Sequence, residues 1–227
     1  KPDSRYLGDA ARIYTRYRFR FLKNLSAGIT AEKDPGEEFF TGTQKLGFDY
    51  YSAHIYLGNQ GVIKHAIIGD YQIEFGQGLT YWTGLAFGKS ADIKSIKRNG
   101  RGIAPYVSAD ENNFMRGAAT TLQIGSVEIT AFGSSKMLDA NKTVIDTLDE
   151  EFQVSEFSSL QTSGIHGTPS QLFDKDAVRE TNFGGNVKVS LDDHHIGATF
   201  VQTNYGSDFG GLADLYRKFE GRSGSFD

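Results

Sequence analysis

The chain contains no cysteine, so neither a disulfide framework nor a thiolate metal site contributes to it. Proline is scarce, with four in 227 residues, which leaves long stretches able to donate a backbone hydrogen bond at every position. No apolar run approaches the roughly 18 residues that a membrane-spanning helix needs. Charge of neither sign dominates, and the formal net charge of −4 gives no general attraction for nucleic acid or anionic lipid. Catalytic signatures are missing too: there is no Gly-x-Ser-x-Gly elbow and no His-Glu-x-x-His helix. Gly76-Gln77-Gly78 lacks the third glycine and the strand–helix setting of a dinucleotide loop.

What the chain does have is glycine, 27 residues, and aromatic side chains, 13%, a composition suited to an all-β protein. Residues 12–21 alternate strictly. Successive side chains of a strand point to opposite faces, so Ile13, Thr15, Tyr17, Phe19 and Phe21 share one face, and Arg12, Tyr14, Arg16, Arg18 and Arg20 the other. The pattern recurs and predicts eight strands, at 11–22, 25–33, 48–58, 62–75, 115–124, 127–138, 181–191 and 196–209. Leu25, Ala27, Ile29 and Ala31 oppose Ser26, Gly28, Thr30 and Glu32 in the second. Tyr51, Ala53, Ile55 and Leu57 oppose Ser52, His54 and Tyr56 in the third. In the fourth, Ile67, Gly69, Tyr71, Ile73 and Phe75 form the apolar set against Ile68, Asp70, Gln72 and Glu74. Val187, Val189 and Leu191 oppose Asn186, Lys188 and Ser190 in the seventh.

The connections alternate in length. Those after the odd strands are tight, at Lys23-Asn24, Asn59-Gln60-Gly61, Gly125-Ser126 and Asp192-Asp193-His194-His195. Those after the even strands are long: a breaker-rich segment from Asp34, then 76–114 and 139–180. Outer-membrane barrels have short periplasmic turns and long extracellular loops, and compact soluble domains seldom hold two structureless loops of this size. The expected fold class is therefore all-β: an antiparallel transmembrane outer-membrane β-barrel. A mean hydropathy of −0.40 is compatible with it, because lipid-facing residues hide among polar ones. By the parity of the turns, the first and last strands both meet the long-loop side. The expectation is thus part of a larger barrel, from a processed or longer chain, with a ninth strand opening within Leu212–Asp227.

Three stretches carry a family resemblance: Tyr14–Phe19 with Glu32–Glu37; Gly69–Gly84, reading Gly-Asp-Tyr-Gln-Ile-Glu-Phe-Gly-Gln-Gly-Leu-Thr-Tyr-Trp-Thr-Gly; and Asn99–Ile103 running to Met115–Ala119. Together they resemble the barrel part of large Bacteroidota outer-membrane proteins described as helix-hairpin-helix or ComEA-like, over about residues 5 to 205. The resemblance implies location and fold more than activity. The helix-hairpin-helix segment behind that family's DNA-binding label is not in this sequence, so the label does not carry over.

Candidate functional positions follow from the faces. Arg12, Arg16, Arg18 and Arg20 make a basic ladder that either sets ion selectivity in a lumen or pairs with Glu32, Asp70, Glu74 or Glu128. The 76–114 connection brings Trp82, Lys97, Arg98 and Arg101, with Tyr81 and Lys94, and is expected to fold into the lumen or meet an outside partner. Asp146, Asp149, Glu150, Glu151 and Glu156 read as a solvated acidic loop without EF-hand spacing. His194-His195 point apart in a turn. No cofactor and no metal are expected, and nucleic acid is an improbable partner. The expected partners are the lipid bilayer with lipopolysaccharide, and other envelope proteins. The expected role is a non-enzymatic, porin-like pore or a scaffold subunit of an envelope transport or assembly complex. An esterase- or phospholipase-like outer-membrane enzyme and a soluble ligand-binding β-barrel are the alternatives.

Overall fold

The computed structural model describes residues 5–84, 97–98, 100–144, 155–192, 194–207 and 224–226. Its elements are β1 (Ile13–Phe21), β2 (Leu25–Lys33), β3 (Tyr50–Gln60), β4 (Ile63–Glu74), β5 (Gly102–Pro105), β6 (Met115–Ile124), β7 (Val127–Leu138), β8 (Ala140–Val144), β9 (Ser155–Leu160), α1 (Pro169–Asp174), β10 (Val178–Leu191), β11 (His194–Tyr205) and β12 (Gly224–Phe226). The protein is all-β and antiparallel. The main sheet is a meander in the order β1-β2-β3-β4-β6-β7-β10-β11-β12, with β5 added beside β4. All eight expected strands form. The third begins at Tyr50, the seventh begins earlier, at Val178, and the eighth ends at Tyr205.

The sheet does not close on itself among the described residues: β1 and β12 are its two ends. β12 covers only Val201–Thr203 of β11, and the rest of the expected ninth strand lies outside the described residues. The two long connections are not structureless. One contains β5, and the other holds the β8–β9 hairpin and α1, whose first turn is capped by Thr168 and Gln171 in a capping box.

Register carries one face of each strand into the next. Phe19, Ala27, Ile55, Ile68, Ala118, Gly133 and Phe183 form one continuous row. Phe21, Leu25, Leu57, Ala66, Thr120, Ala131, Gly185 and Phe200 form the next. Ile124, Val127, Val189 and Ile196 extend the surface toward the tight turns. No charged residue interrupts these rows. The large side chains on this face stay open: Tyr17, in the row beside Phe19, is 74% exposed, Ile68 69% and Ile196 73%, and Phe19, Ile55 and Val187 are exposed as well. Ile13 is half-buried.

The opposite face is the buried one. One of its rows runs Arg18, Gly28, His54, Gly69, Gly117, Ser134, Asn182 and Thr203, of which His54, Ser134 and Asn182 are buried. Gly28 has a packing reason here, since a Cβ would sit 2.6 Å from the His54 ring. The hydrophobic core lies against this same face and comprises Ile67, Tyr71, Ile73, Phe75, Ile103, Met115, Ala119, Phe132 and Val201.

The alternation expected for the fourth strand holds: Ile67, Tyr71, Ile73 and Phe75 lie buried on the inner face, and Ile68 stands on the open apolar surface. Gly69 marks where β4 parts from β3 while staying paired with β6 as far as Tyr71. With φ +104°, and with a Cβ position only 2.2 Å from the Ala53 carbonyl oxygen, this residue tolerates no side chain. After β4 the connection folds in over the inner face, where Ile103 joins the core and Tyr81 packs against it. The Tyr71 hydroxyl donates to the carbonyls of Gly133 (2.7 Å) and Ala118 (3.3 Å), and the Phe75 ring meets Phe132 at 6.1 Å. β5 then pairs with Tyr71–Glu74 where β3 would otherwise have continued.

Candidate functional site

The folded-in segment builds the site. Ile73 and Tyr71 are fully buried, so the end of β4 is anchored by apolar packing, which leaves its alternate residues, Gln72 and Glu74, available for polar contacts. Glu74 is held by Arg101: Nε donates to Oε2 at 2.9 Å, the second guanidinium nitrogen also bonds the carboxylate, and the Arg101 backbone N–H donates at 3.2 Å. Arg101 reaches Gln72 Oε1 at 3.2 Å as well. The Arg98 guanidinium lies 5.6 Å over the Trp82 ring, a cation–π contact. Gln77 clamps the Arg98 backbone, accepting from its N–H and donating to its carbonyl, both at 2.9 Å. The described part of this segment thus meets the end of β4 through Trp82 and Arg101, Arg98 stacks on Trp82, and Lys97 stands beside them, exposed. Lys94 lies outside the described residues.

Between this segment and the sheet is a polar cleft of about 310 Å³. Lys64, Glu74, Glu128 and Lys188 come from the sheet; Lys97, Arg98 and Arg101 come from the segment. Lys64 Nζ bonds Glu128 at 2.7 Å, and Lys188 approaches the same carboxylate at 3.8 Å.

The basic ladder of β1 is only partly neutralised. Arg12 pairs with Glu32 and lies 3.3 Å from Asp34, and Arg16 stacks over Tyr14 at 5.2 Å. Arg16, Arg18 and Arg20 have no acidic partner within ion-pair distance among the described residues. The other acids expected to serve them are taken: Asp70 by Arg116 at 2.8 and 2.9 Å, Glu74 by Arg101, and Glu128 by Lys64. Partners nearby on the folded-in segment, on β4 or on β6 outcompete a ladder at the far end of the sheet.

A second cluster lies at the long-loop end. His166, 5% exposed, bridges two carboxylates, with Nδ1 2.6 Å from Asp49 and Nε2 2.9 Å from Asp139. Lys175 Nζ bonds Asp49 at 2.6 Å, and the His166 backbone N–H donates to Glu37 at 2.8 Å. Burial opposes charge on the imidazole, but the hydrogen bonds to Asp139 and Asp49 outweigh it and push its pKa up to about 10. Asp49 and Asp139 are held below the usual carboxylate range: burial opposes their charge and is outweighed by the bonds from His166. Burial, then the Asp49 charge, pushes the Glu111 carboxyl up to about 9.

Glu37, Asp49 and His166 offer atoms within 4.8 Å of one another. Both ring nitrogens already face carboxylates, however, and Lys175 neutralises Asp49, so the set works as a self-satisfied ionic clasp joining two of the long connections. The acidic stretch at 146–151 lies outside the described residues. His65 Nδ1 meets the Tyr56 hydroxyl at 2.6 Å, and among the described residues no serine hydroxyl is within hydrogen-bond distance of a histidine. No family model, curated protein or solved structure matches this chain.

Proposed function

We propose that this chain is part of an outer-membrane β-barrel whose interior is filled by its own β4–β6 connection. In this reading it works without catalysis, as a scaffold subunit of an envelope transport or assembly complex, in contact with lipid and lipopolysaccharide. The observation that carries the reading is the uncharged apolar surface running through eight strands with its large side chains open to the outside. A monomer in water rarely exposes so continuous an apolar patch, whereas a barrel wall in lipid requires one.

Two further features support it. All four tight turns lie at one end of the sheet and all long connections at the other. The polar face, unusable toward lipid, is the one packed beneath the folded-in segment. In hydrocarbon every backbone group needs a partner, so the reading requires the outer edge of β1 to be covered by a further strand. The resemblance to the Bacteroidota barrel proteins belongs to the same proposal. A filled concave face favours a scaffold over an open pore.

The test uses the full-length protein. It is expected to fractionate with outer membranes, to need detergent for extraction, and to give no steady conductance in planar bilayers. Arg101→Ala, which frees the folded-in segment from Glu74, is expected to produce intermittent openings. Solubility in plain buffer would remove the membrane reading, and steady conductance of the unaltered protein would replace the scaffold with a pore.

A further inference from the structure

The cleft between the folded-in segment and the sheet sets like charges against each other. Lys64 and Lys188 rise from β4 and β10, and Lys97, Arg98 and Arg101 come from the opposite wall. Only two acids are among them. Glu74 is consumed by Arg101, and Glu128 is shared by both lysines of the sheet. Lys97 and Arg98 have no acidic partner within ion-pair distance among the described residues. Five cations against two carboxylates leave a surplus of three positive charges around a cavity of about 310 Å³, near the lower end of the size range of small-molecule sites.

Surplus cations repel across a low-dielectric gap, and an anion placed between them turns that repulsion into attraction. The cleft also has neutral donors. Asn186 Nδ2 donates to the Thr199 hydroxyl oxygen at 2.8 Å, which leaves the Thr199 hydrogen free to donate onward. Gln77 fixes the Arg98 backbone at the cleft through two bonds, and the Arg98 guanidinium, stacked on Trp82, has no carboxylate to release before an anion binds.

We propose that this cleft binds a small, multiply charged oxyanion of the phosphate type, which joins the folded-in segment to the sheet. Ammonium point charges on one wall and guanidinium forks on the other suit an anion with acceptor oxygens on all sides better than a flat carboxylate. The inference rests on the charged lining of the cleft and not on whether the apolar face meets lipid, so it survives or fails separately from the function proposed above.

The test is calorimetric titration of the full-length protein in detergent with sodium pyrophosphate, in parallel with flotation on phosphatidylcholine vesicles with and without phosphatidic acid. Saturable pyrophosphate binding is expected, weakened at least tenfold by the double substitution Arg98→Gln with Lys188→Gln and unchanged by Arg16→Gln. Glu128→Gln removes a competing acid and is expected to tighten binding severalfold, an effect that misfolding cannot imitate. Phosphatidic acid dependence that disappears in the double variant would assign the phosphate to a lipid headgroup; pyrophosphate binding alone would assign it to a soluble ligand. No saturable binding to either probe, or equal affinity in the double variant and the unaltered protein, would overturn the proposal.

Discussion

At the residue scale, buried charge is the most sensitive feature. Asp70 is 2% exposed, and Arg116 is the partner that compensates it. Arg116→Leu leaves that buried carboxylate without its half-exposed partner, and a loss of about 1–3 kcal/mol is expected, because a buried polar group left unpaired keeps its desolvation cost. Urea unfolding followed through Trp82, the single tryptophan, measures it. His166 gives a prediction with a sign. Its folded pKa, about 10, lies above the ordinary value of 6.5, so its contribution is complete below pH 6.5 and is lost as pH rises toward 10. The depressed pKa values of Asp49 and Asp139 act oppositely: their contribution holds above the ordinary carboxylate range and disappears as pH falls through their folded values. The clasp should therefore be strongest between about pH 4 and 6.5. In His166→Ala the decline in unfolding midpoint between pH 6.5 and 10 should flatten, whereas an unchanged slope would show the clasp to be inert.

At the element scale, the strands were legible because a two-residue period is local. Residues 12–21 announce β1 without help from any other part of the chain. Which face a strand turns outward is not local, and β4 demonstrates it. Its alternation marks Ile67, Tyr71, Ile73 and Phe75 as an apolar set, but only their packing with Ile103, Met115 and Phe132 decides that the set faces the interior. Sequence reading can find Gly69; it cannot see the Ala53 carbonyl against which a side chain would collide. Gly69→Val drives a side chain into the Ala53 carbonyl of β3 and is expected to loosen β4 from β3. The predicted result is faster cleavage by a soluble protease within 76–101, and an unchanged cleavage rate would show that the apolar core alone holds the segment. The clasp was illegible for a related reason: Asp49 and His166 are separated by 117 positions, and Asp139 and His166 by 27, with no shared motif. Trp82, Lys97, Arg98 and Arg101 were legible as candidates because basic and aromatic residues cluster in one connection, although their assembly around Glu74 was not.

At the scale of the whole molecule, the two faces of one sheet obey different solvents. The polar face is buried under the chain's own connection and satisfies its groups through Thr121–Thr130, Arg116–Asp70 and Lys64–Glu128. The apolar face has no protein layer over it among the described residues, and its continuity depends on register in seven successive strand pairings, since slipping any one by a residue would bring polar side chains into it. A charge placed at the middle of this surface, as in Ile55→Arg, should cost about 2–4 kcal/mol of stability in a bilayer, and almost nothing if that surface faces water. The absence of cysteine allows the surface to be probed one position at a time. The decisive measurement is spin-label accessibility in lipid vesicles for the full-length protein carrying Ile55→Cys or, separately, Ile68→Cys. The account predicts high collision rates with lipid-dissolved oxygen and low rates with a water-soluble nickel chelate at both positions. High nickel accessibility at both, or a label sheltered from both reagents, would contradict it.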